Sequence, residues 1–302
     1  SPNYQIIASL DVGRMQAEME GFELVHAQVE AALSLREQLY THPLLQKYFR
    51  VLVNKDMVPL EYRQSGVDTF YDPVTGWNKM EEAWANDEFV VDPSRITIAI
   101  GATGIDGDTF KNEYLMNKYG IQINKTSRNT VLFMTNIGTT RGSIAYLLDV
   151  LIKLAKEFEA RWEESSRPER RIIENRVRSL TEELPPLPDF SRFHDAFRQC
   201  GETPQGDIRR AYFLAYDEEN TEYLRFDNGE LQAEMRAGRD AVSASFVIPY
   251  PPGFPVLVPG QVVSEEILHF LQALDVTEIH GYRPELGLLV FTEAALANPE
   301  AG

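Results

Sequence analysis

The chain has 302 residues, with 46 Asp and Glu against 29 Lys and Arg, a formal charge of −17. A surface of that sign repels phosphates and argues against a nucleic-acid partner. Hydrophobic residues make 43% of the chain and charged residues 25%, the balance of a globular protein; no apolar run approaches the ~20 residues of a membrane span and no leader opens the chain, so a cytoplasmic protein without a membrane partner is expected.

Residues 1–11 begin with Ser1-Pro2 and an apolar IIASL run that reads as a strand. From residue 11 to about 48, apolar residues such as Met15, Met19, Phe22 and Val29 recur at steps of three and four. That spacing predicts a long helix with Asp11 as its cap and a bend near Gly21. His26 and His42 fall in or at the end of it and read as surface histidines. Residues 49–53 read as a strand, and residues 56–87 as a loop-rich connection carrying Trp77 and Trp84.

The β-branched run RITIAIG, residues 95–101, reads as a buried strand. Asp108 and Thr109 are placed to cap a helix over 110–119, which Gly120 ends. Strands follow at 121–123 and 130–135, then an amphipathic helix over 142–160. Segment 165–188 alternates Arg and Glu and ends in prolines, so it reads as a linker helix with a solvated face. Beyond residue 189 a helix is expected, then strands in AYFLAYD, VSASFVIPY and VLVPG. Ser264 caps a helix with Glu265 and Glu266 in its first turn, and LGLLVF forms the last strand.

The residues alone assemble no catalytic set. No nucleophile elbow, HExxH or P-loop occurs, and the glycines of GATGIDG at 101–107 do not match GxGxxG. Cys200 is the single cysteine; it makes no intrachain disulfide and reads as a small, partly buried residue, and nothing points to a metal site.

Three segments go further: SPNYQIIASLD at 1–11, GATGIDGDTFKNEYLMNKYGIQINKTSRNTVLFMT at 101–135, and SFVIPYPPGFPVLVPG at 245–260. Together they resemble the bacterial ornithine/lysine/arginine decarboxylases. Those enzymes use pyridoxal 5'-phosphate (PLP) and share the aspartate aminotransferase fold, and the resemblance covers only their C-terminal half. It implies an α/β (α+β) chain in four parts. Residues 1–20 would be the tail of the PLP-binding large domain and 21–164 an aminotransferase-like small domain. Residues 165–188 would be a linker and 189–302 the decarboxylase C-terminal domain.

The resemblance also places the chemistry. The family's PLP-binding lysine sits in a Ser-x-His-Lys motif upstream of a Thr-Ser-Pro-x-Tyr segment whose end matches Ser1-Pro2-Asn3-Tyr4. None of the eight lysines here has that context, so no catalytic residue is expected in this chain and it should be inactive alone. Ser1 would lie near the cofactor phosphate of a neighbouring subunit. Arg128 occupies about the position of the carboxylate-binding arginine of aminotransferases, where a guanidinium fork suits a carboxylate. The family tends to read Glu-Lys-Thr-Gly here, and this chain departs at Asn124, Ser127 and Arg128. Trp84 matches a family tryptophan read as a buried anchor. The proline-rich segment around Gly253 and the IHGY segment with His280 read as structural or entrance-forming.

The expected whole is a homodimer or higher homo-oligomer of an enzyme that releases CO2 from ornithine, lysine or arginine, giving a diamine or agmatine as a polyamine precursor. An aminotransferase or other PLP enzyme of the same fold, and a non-catalytic assembly module, stand as alternatives.

Overall fold

In the computed structural model, residues 2–297 are described except 73, 78, 199–205, 251, 252, 275 and 277. Ser1, Cys200, Pro251 and Pro252 therefore lie outside the described residues. The chain divides into two units, residues 1–183 and 184–302, and the division falls inside the charged 165–188 segment.

The first unit opens with α1 (Tyr4–Thr41), an uninterrupted helix of 38 residues. The IIASL run is helical, not a strand, because Asn3 caps the helix: its Oδ1 accepts from the N–H groups of Gln5 (3.1 Å) and Ile6 (3.3 Å). Asp11 is thus inside the helix, where it pairs with Arg14 at 3.1 Å, and Gly21 does not interrupt it. The helix stops at His42, because the following Pro43 disfavours a helical residue before it. Pro43 then starts α2 (Pro43–Tyr48), and His42 Nδ1 accepts from the Leu45 N–H.

After β1 (Arg50–Val51) and the single turn α3 (Asn54–Met57), α4 (Met80–Asn86) buries Met80 and Ala83. Trp84, next to Ala83 on the helix, is 44% exposed. Trp84 is therefore no buried anchor. Trp77 packs instead against the cluster of Val67, Phe70, Met80, Ala83 and Val91.

Strand β2 (Arg95–Ala99) pairs antiparallel with β1 and with β4 (Thr130–Met134). The stretch between them starts helical at α5 (Gly107–Thr109), continues as a π-helical turn over Phe110–Met116, and ends as α6 (Asn117–Tyr119). Gly120 follows with φ 65, the left-handed end expected from the sequence. Its N-cap is Asp106, not Asp108 or Thr109: Asp106 Oδ1 accepts from the Thr109 N–H at 3.0 Å. Asp108 accepts instead from Thr126 Oγ1 at 2.7 Å. Residues 121–123 form no strand; Ile121 and Ile123 lean on the core without a ladder partner. Pairing begins at β3 (Lys125–Thr126), and the sheet order is β1-β2-β4-β3.

Alternation along β2 turns Ile96 and Ile98 to one side, where they are fully buried, and β4 adds Val131 and Phe133. Helix α7 (Arg141–Glu164) covers that side with Leu147, Leu151, Leu154 and Phe158. A buried arginine of α1 fastens helix to sheet. Arg36 donates to the carbonyls of Pro93 (3.2 Å), Leu52 (3.5 Å) and Arg95 (2.7 Å). Burial pushes its guanidinium down to about 10, with Asp92 opposing. The charged segment forms α8 (Arg167–Thr181), started by a capping box between Ser166 and Glu169. Most of α8 is solvated, but Leu180 at its end is fully buried.

The second unit begins with a short 3-10 turn, Asp195–Phe197, in place of the expected helix. AYFLAYD belongs to helix α9 (Ile208–Leu214), not to a strand. Asp207 caps it by accepting from the Arg210 N–H at 3.0 Å, and Ala211 and Leu214, three apart, are its buried residues. Strand β5 (Thr221–Leu224), helix α10 (Glu230–Arg236) and β6 (Ile248–Tyr250) follow. VLVPG contributes one bridge, Val247 to Leu257, and no longer strand. Ser264 caps α11 (Glu265–Ala273) as the sequence predicts, accepting from the Ile267 N–H. After β7 (Glu278–His280) and β8 (Tyr282–Arg283), LGLLVF supplies β9 (Gly287–Phe291), and α12 (Glu293–Ala297) ends the described chain. Strands β5-β9-β8 make one sheet and β6-β7 another.

Candidate functional site

The glycine-rich turn and the Asn-Lys-Thr-Ser-Arg corner, separated in sequence, are one structure. The Ile100 N–H donates to the Asn129 carbonyl (2.9 Å) and the Gly107 N–H to the Arg128 carbonyl (3.1 Å). A Cβ on Gly107 would collide with the carbonyl oxygen of Ser127, so only glycine lets the two backbones approach this closely. Within the corner, Ser127 and Thr130 hydroxyls hydrogen-bond at 2.6 Å, and the Ser127 N–H donates to the Thr130 carbonyl at 2.9 Å.

The end of α8 closes over both pieces. Arg128 Nη2 donates to Ser179 Oγ at 2.8 Å, Asn129 Nδ2 to the Leu180 carbonyl at 2.9 Å, and Arg176 Nη2 to Asp106 Oδ2 at 3.2 Å. Arg128 is half-buried, so Ser179 orients its fork where water is partly excluded. Burial raises the Asp106 carboxyl, but hydrogen bonds from Thr109 and the nearby Arg176 outweigh it and hold the group below its ordinary value. The sequence singles out Arg128 and misses Asn129, Arg176 and Ser179, which gain meaning only once α8 folds back.

Beside this cluster, a cleft of about 430 Å³ opens between α7 and α8. Its walls include Tyr48, Thr103, Phe158, Trp162 and Arg178, and Arg128 is not among them. Tyr48 donates to Glu159 at 2.8 Å, and Lys47 pairs with the same carboxylate. That pairing raises Lys47 and lowers Glu159.

No described lysine fits a covalent PLP site, and no step through that cofactor follows from this chain. A lysine of that kind is enclosed and pushed down by burial so that it can be neutral. Here Lys47, Lys118 and Lys153 are exposed and raised by the hydrogen bonds they donate to Glu159, Glu157 and Asp149. Lys55, Lys79 and Lys156 are exposed, and Lys111 and Lys125 half-buried. Among the described residues no cluster of three His, Cys, Asp or Glu could hold a metal ion, and no helix is long and apolar enough to cross a membrane. His26 is exposed beside Glu30, and His280 is exposed with its ring 6.3 Å from that of Tyr250. Ser1 lies outside the described residues.

Comparison with known proteins agrees along the chain. Residues 1–143 match the family described as "Orn/Lys/Arg decarboxylase, major domain", and residues 211–287 match "Orn/Lys/Arg decarboxylase, C-terminal domain". The inducible lysine decarboxylase of Escherichia coli K12 is 22% identical over 94% of this chain and 40% of its own length. The arginine decarboxylase of Bacillus anthracis is 22% identical over 90% and 41%, and the constitutive ornithine decarboxylase of E. coli K12 is 24% identical over 95% and 43%. The chain thus spans about two fifths of the length of these relatives.

Among solved structures, lysine decarboxylase A of Pseudomonas aeruginosa aligns with a TM-score of 0.53 at 16% identity, covering 97% of this chain and 43% of that one. The Francisella novicida lysine decarboxylase gives 0.52 at 17%, covering 90% and 40%. These likenesses speak for the fold, α/β with helices on small sheets. With two domains of one family matched in their order along the sequence, the chain belongs to the Orn/Lys/Arg decarboxylase family, as its C-terminal part.

Proposed function

We propose that this chain is the C-terminal part of a cytoplasmic, PLP-dependent decarboxylase that removes CO2 from lysine, ornithine or arginine, yielding a diamine or agmatine for polyamine synthesis. The observation that carries the reading is the ordered match to both family domains by a chain two fifths the length of its relatives. An upstream part supplies the lysine for PLP; the exposed, carboxylate-paired lysines here support that division of labour. PLP, when bound, acts as the electron sink. This chain alone is inactive, and the assembled enzyme is a homodimer or larger, with Ser1 near a neighbouring subunit's cofactor phosphate.

Arg128 is the residue of this chain that contacts substrate. Its planar fork suits a carboxylate, and the Ser179 hydrogen bond holds one arm so that less side-chain entropy is lost on binding. Residues 21–164 act as the small domain and 189–302 as the C-terminal domain, joined through 165–188. The acidic chain mildly favours a cationic substrate.

The test compares the 302-residue chain with the longer protein that includes the upstream part, each with PLP and with lysine, ornithine or arginine in turn. Release of CO2 from one of these amino acids by the longer protein, and none by the chain alone, is the expected result. Turnover by the chain alone overturns the division of labour. Keto-acid formation without CO2 release by the longer protein overturns decarboxylation in favour of an aminotransferase.

A further inference from the structure

The cleft between α7 and α8 takes no part in the Arg128 corner, and its walls divide by chemistry. Tyr48 and Phe158, both buried, and the half-buried Trp162 give it an aromatic lining. Ile173 and Val177, four residues apart on one face of α8, add an aliphatic wall. Its volume of about 430 Å³ falls within the ~300–1,000 Å³ of small-molecule sites.

The charges that line the cleft narrow its ligand. Lys47 is already paired with Glu159. Arg161, Arg178, Glu174 and Glu182 are exposed, and none has an opposite charge within salt-bridge distance among the described residues. Two cations and two carboxylates are therefore left for whatever enters. A polyphosphate would meet the carboxylates, a diamine would meet the guanidiniums, and an uncharged molecule would desolvate all four groups without replacing their water. A zwitterion with an apolar side chain answers each part: a carboxylate for an arginine fork, an ammonium for a glutamate, and an apolar body for the rings.

We infer that this cleft binds a free α-amino acid with an aromatic or aliphatic side chain, as an effector and not as the substrate. Helix α8 links the two sites. Ile173, Glu174, Val177 and Arg178 line the cleft, while Arg176, Ser179 and Leu180 of the same helix hold Asp106, Arg128 and Asn129. The helix rests on the glycine turn with little slack, since a Cβ on Gly101 would lie 2.7 Å from the Leu180 carbonyl oxygen. A ligand that bridges α7 and α8 therefore braces the helix that orients the Arg128 fork. The effector role rests on Arg128 being the substrate clamp of the proposed function; the binding site does not.

The experiment is calorimetric titration of the 302-residue chain with L-phenylalanine and L-leucine. Saturable one-to-one binding is expected. N-acetyl-L-phenylalanine and L-phenylalaninamide, each lacking one of the two charges, should bind about tenfold more weakly. Arg178→Gln and Glu174→Gln, both at exposed positions, should weaken L-phenylalanine by a similar factor, and Val177→Trp, which fills the cleft, should abolish binding; circular dichroism checks that each variant folds. Arg128→Ala should leave the affinity unchanged. No binding, or equal binding of L-phenylalanine and its two derivatives, overturns the site, and the derivatives decide this without any variant. Binding lost in Arg128→Ala but kept in Val177→Trp puts the ligand at the corner and also overturns it. In the longer protein, saturating L-phenylalanine should lower KM about threefold with kcat nearly unchanged. An unchanged KM overturns the effector role and leaves the site standing. A longer protein that turns over no amino acid counts against the proposed function and leaves the titration to decide the site.

Discussion

Arg128 and Ser179 are 51 residues apart, yet the guanidinium donates to the serine hydroxyl at 2.8 Å. The bond ties the corner between β3 and β4 to the last turn of α8, beside the Asn129 and Arg176 contacts that join the same elements. A helix that reads in isolation as a solvated linker is thereby part of the frame around the candidate substrate arginine.

In the complete enzyme, Arg128→Ala should lower kcat/KM about ten- to a hundredfold. Losing a hydrogen bond to a charged group costs about 1.5–3 kcal/mol, and about 1.4 kcal/mol is tenfold. Arg128→Lys should recover little, since the fork is lost though the charge remains. Ser179→Ala should raise KM by a smaller factor with kcat nearly unchanged. Steady-state kinetics decide: an Arg128→Ala enzyme within twofold of wild type has no substrate clamp at this position.

Asp106 predicts an acid-side signature. Its folded carboxyl lies below the ordinary 3.8, so the stabilisation it provides is present above that value and fades as pH falls through the lower folded one. Asp106→Asn keeps a capping oxygen but loses the Arg176 pair, which is partly exposed. It should cost about 0.5–1 kcal/mol at pH 7 and nothing once wild-type Asp106 is protonated. Urea midpoints at neutral and strongly acid pH should converge accordingly; a constant difference contradicts the assignment.

Gly107→Ala should destabilise the first unit by about 1–3 kcal/mol, the range for overpacking a site that cannot relax. The obstructing atoms are backbone carbonyls of Ser127 and Thr130, which move only if the corner opens. Denaturant unfolding measures the cost, and an unchanged midpoint would mean that the turn and the corner are not in contact.

Arg36→Met should cost about 3 kcal/mol or more, because three carbonyls lose their donors in a dry place. Burial pulls the guanidinium below its ordinary value, but an arginine stays charged across the working pH range, so the cost should appear in denaturant midpoints at neutral pH. An unchanged midpoint contradicts the fastening of α1 to the sheet by these three bonds.

Period and punctuation made several elements legible in the sequence. The alternating isoleucines of β2, the left-handed Gly120, the Ser264 cap and β9 all follow from local chemistry. Elements were misread where two local signals competed. Ile6 and Ile7 suggest a strand, but Asn3 starts a helix that overrides their β-propensity. The aromatics of AYFLAYD do the same against the Asp207 cap. Trp84 failed for a different reason: residues 56–87 read as a loop-rich connection, so nothing local told that Trp77, ahead of α4, packs on the Val67–Phe70 cluster while Trp84 stays half exposed. Of the candidate site, Arg128 was reachable through family resemblance, whereas Ser179 and Arg176 depend on contacts 51 and 70 residues away in the chain. The Ser166-to-Glu169 capping box was the one local clue that α8 begins with a defined phase.

Helix α1 is one element with two lifetimes. At ~1.5 Å per residue its 38 residues reach about 57 Å, but Gln28 is the first to hydrogen-bond another element, at the Thr135 carbonyl, and full burial starts at Ala32. The preceding turns keep only bonds within the helix, among them the Arg14 pairs with Asp11 and Glu18, and exposed Ile7, Leu10, Met19 and Phe22, and an unsupported helix is marginal in water. Amide protons should therefore exchange with solvent quickly near Ile7 and slowly near Leu39 along the same continuous ladder. Whatever covers the first turns would appear as a slowing of exchange that advances toward residue 4.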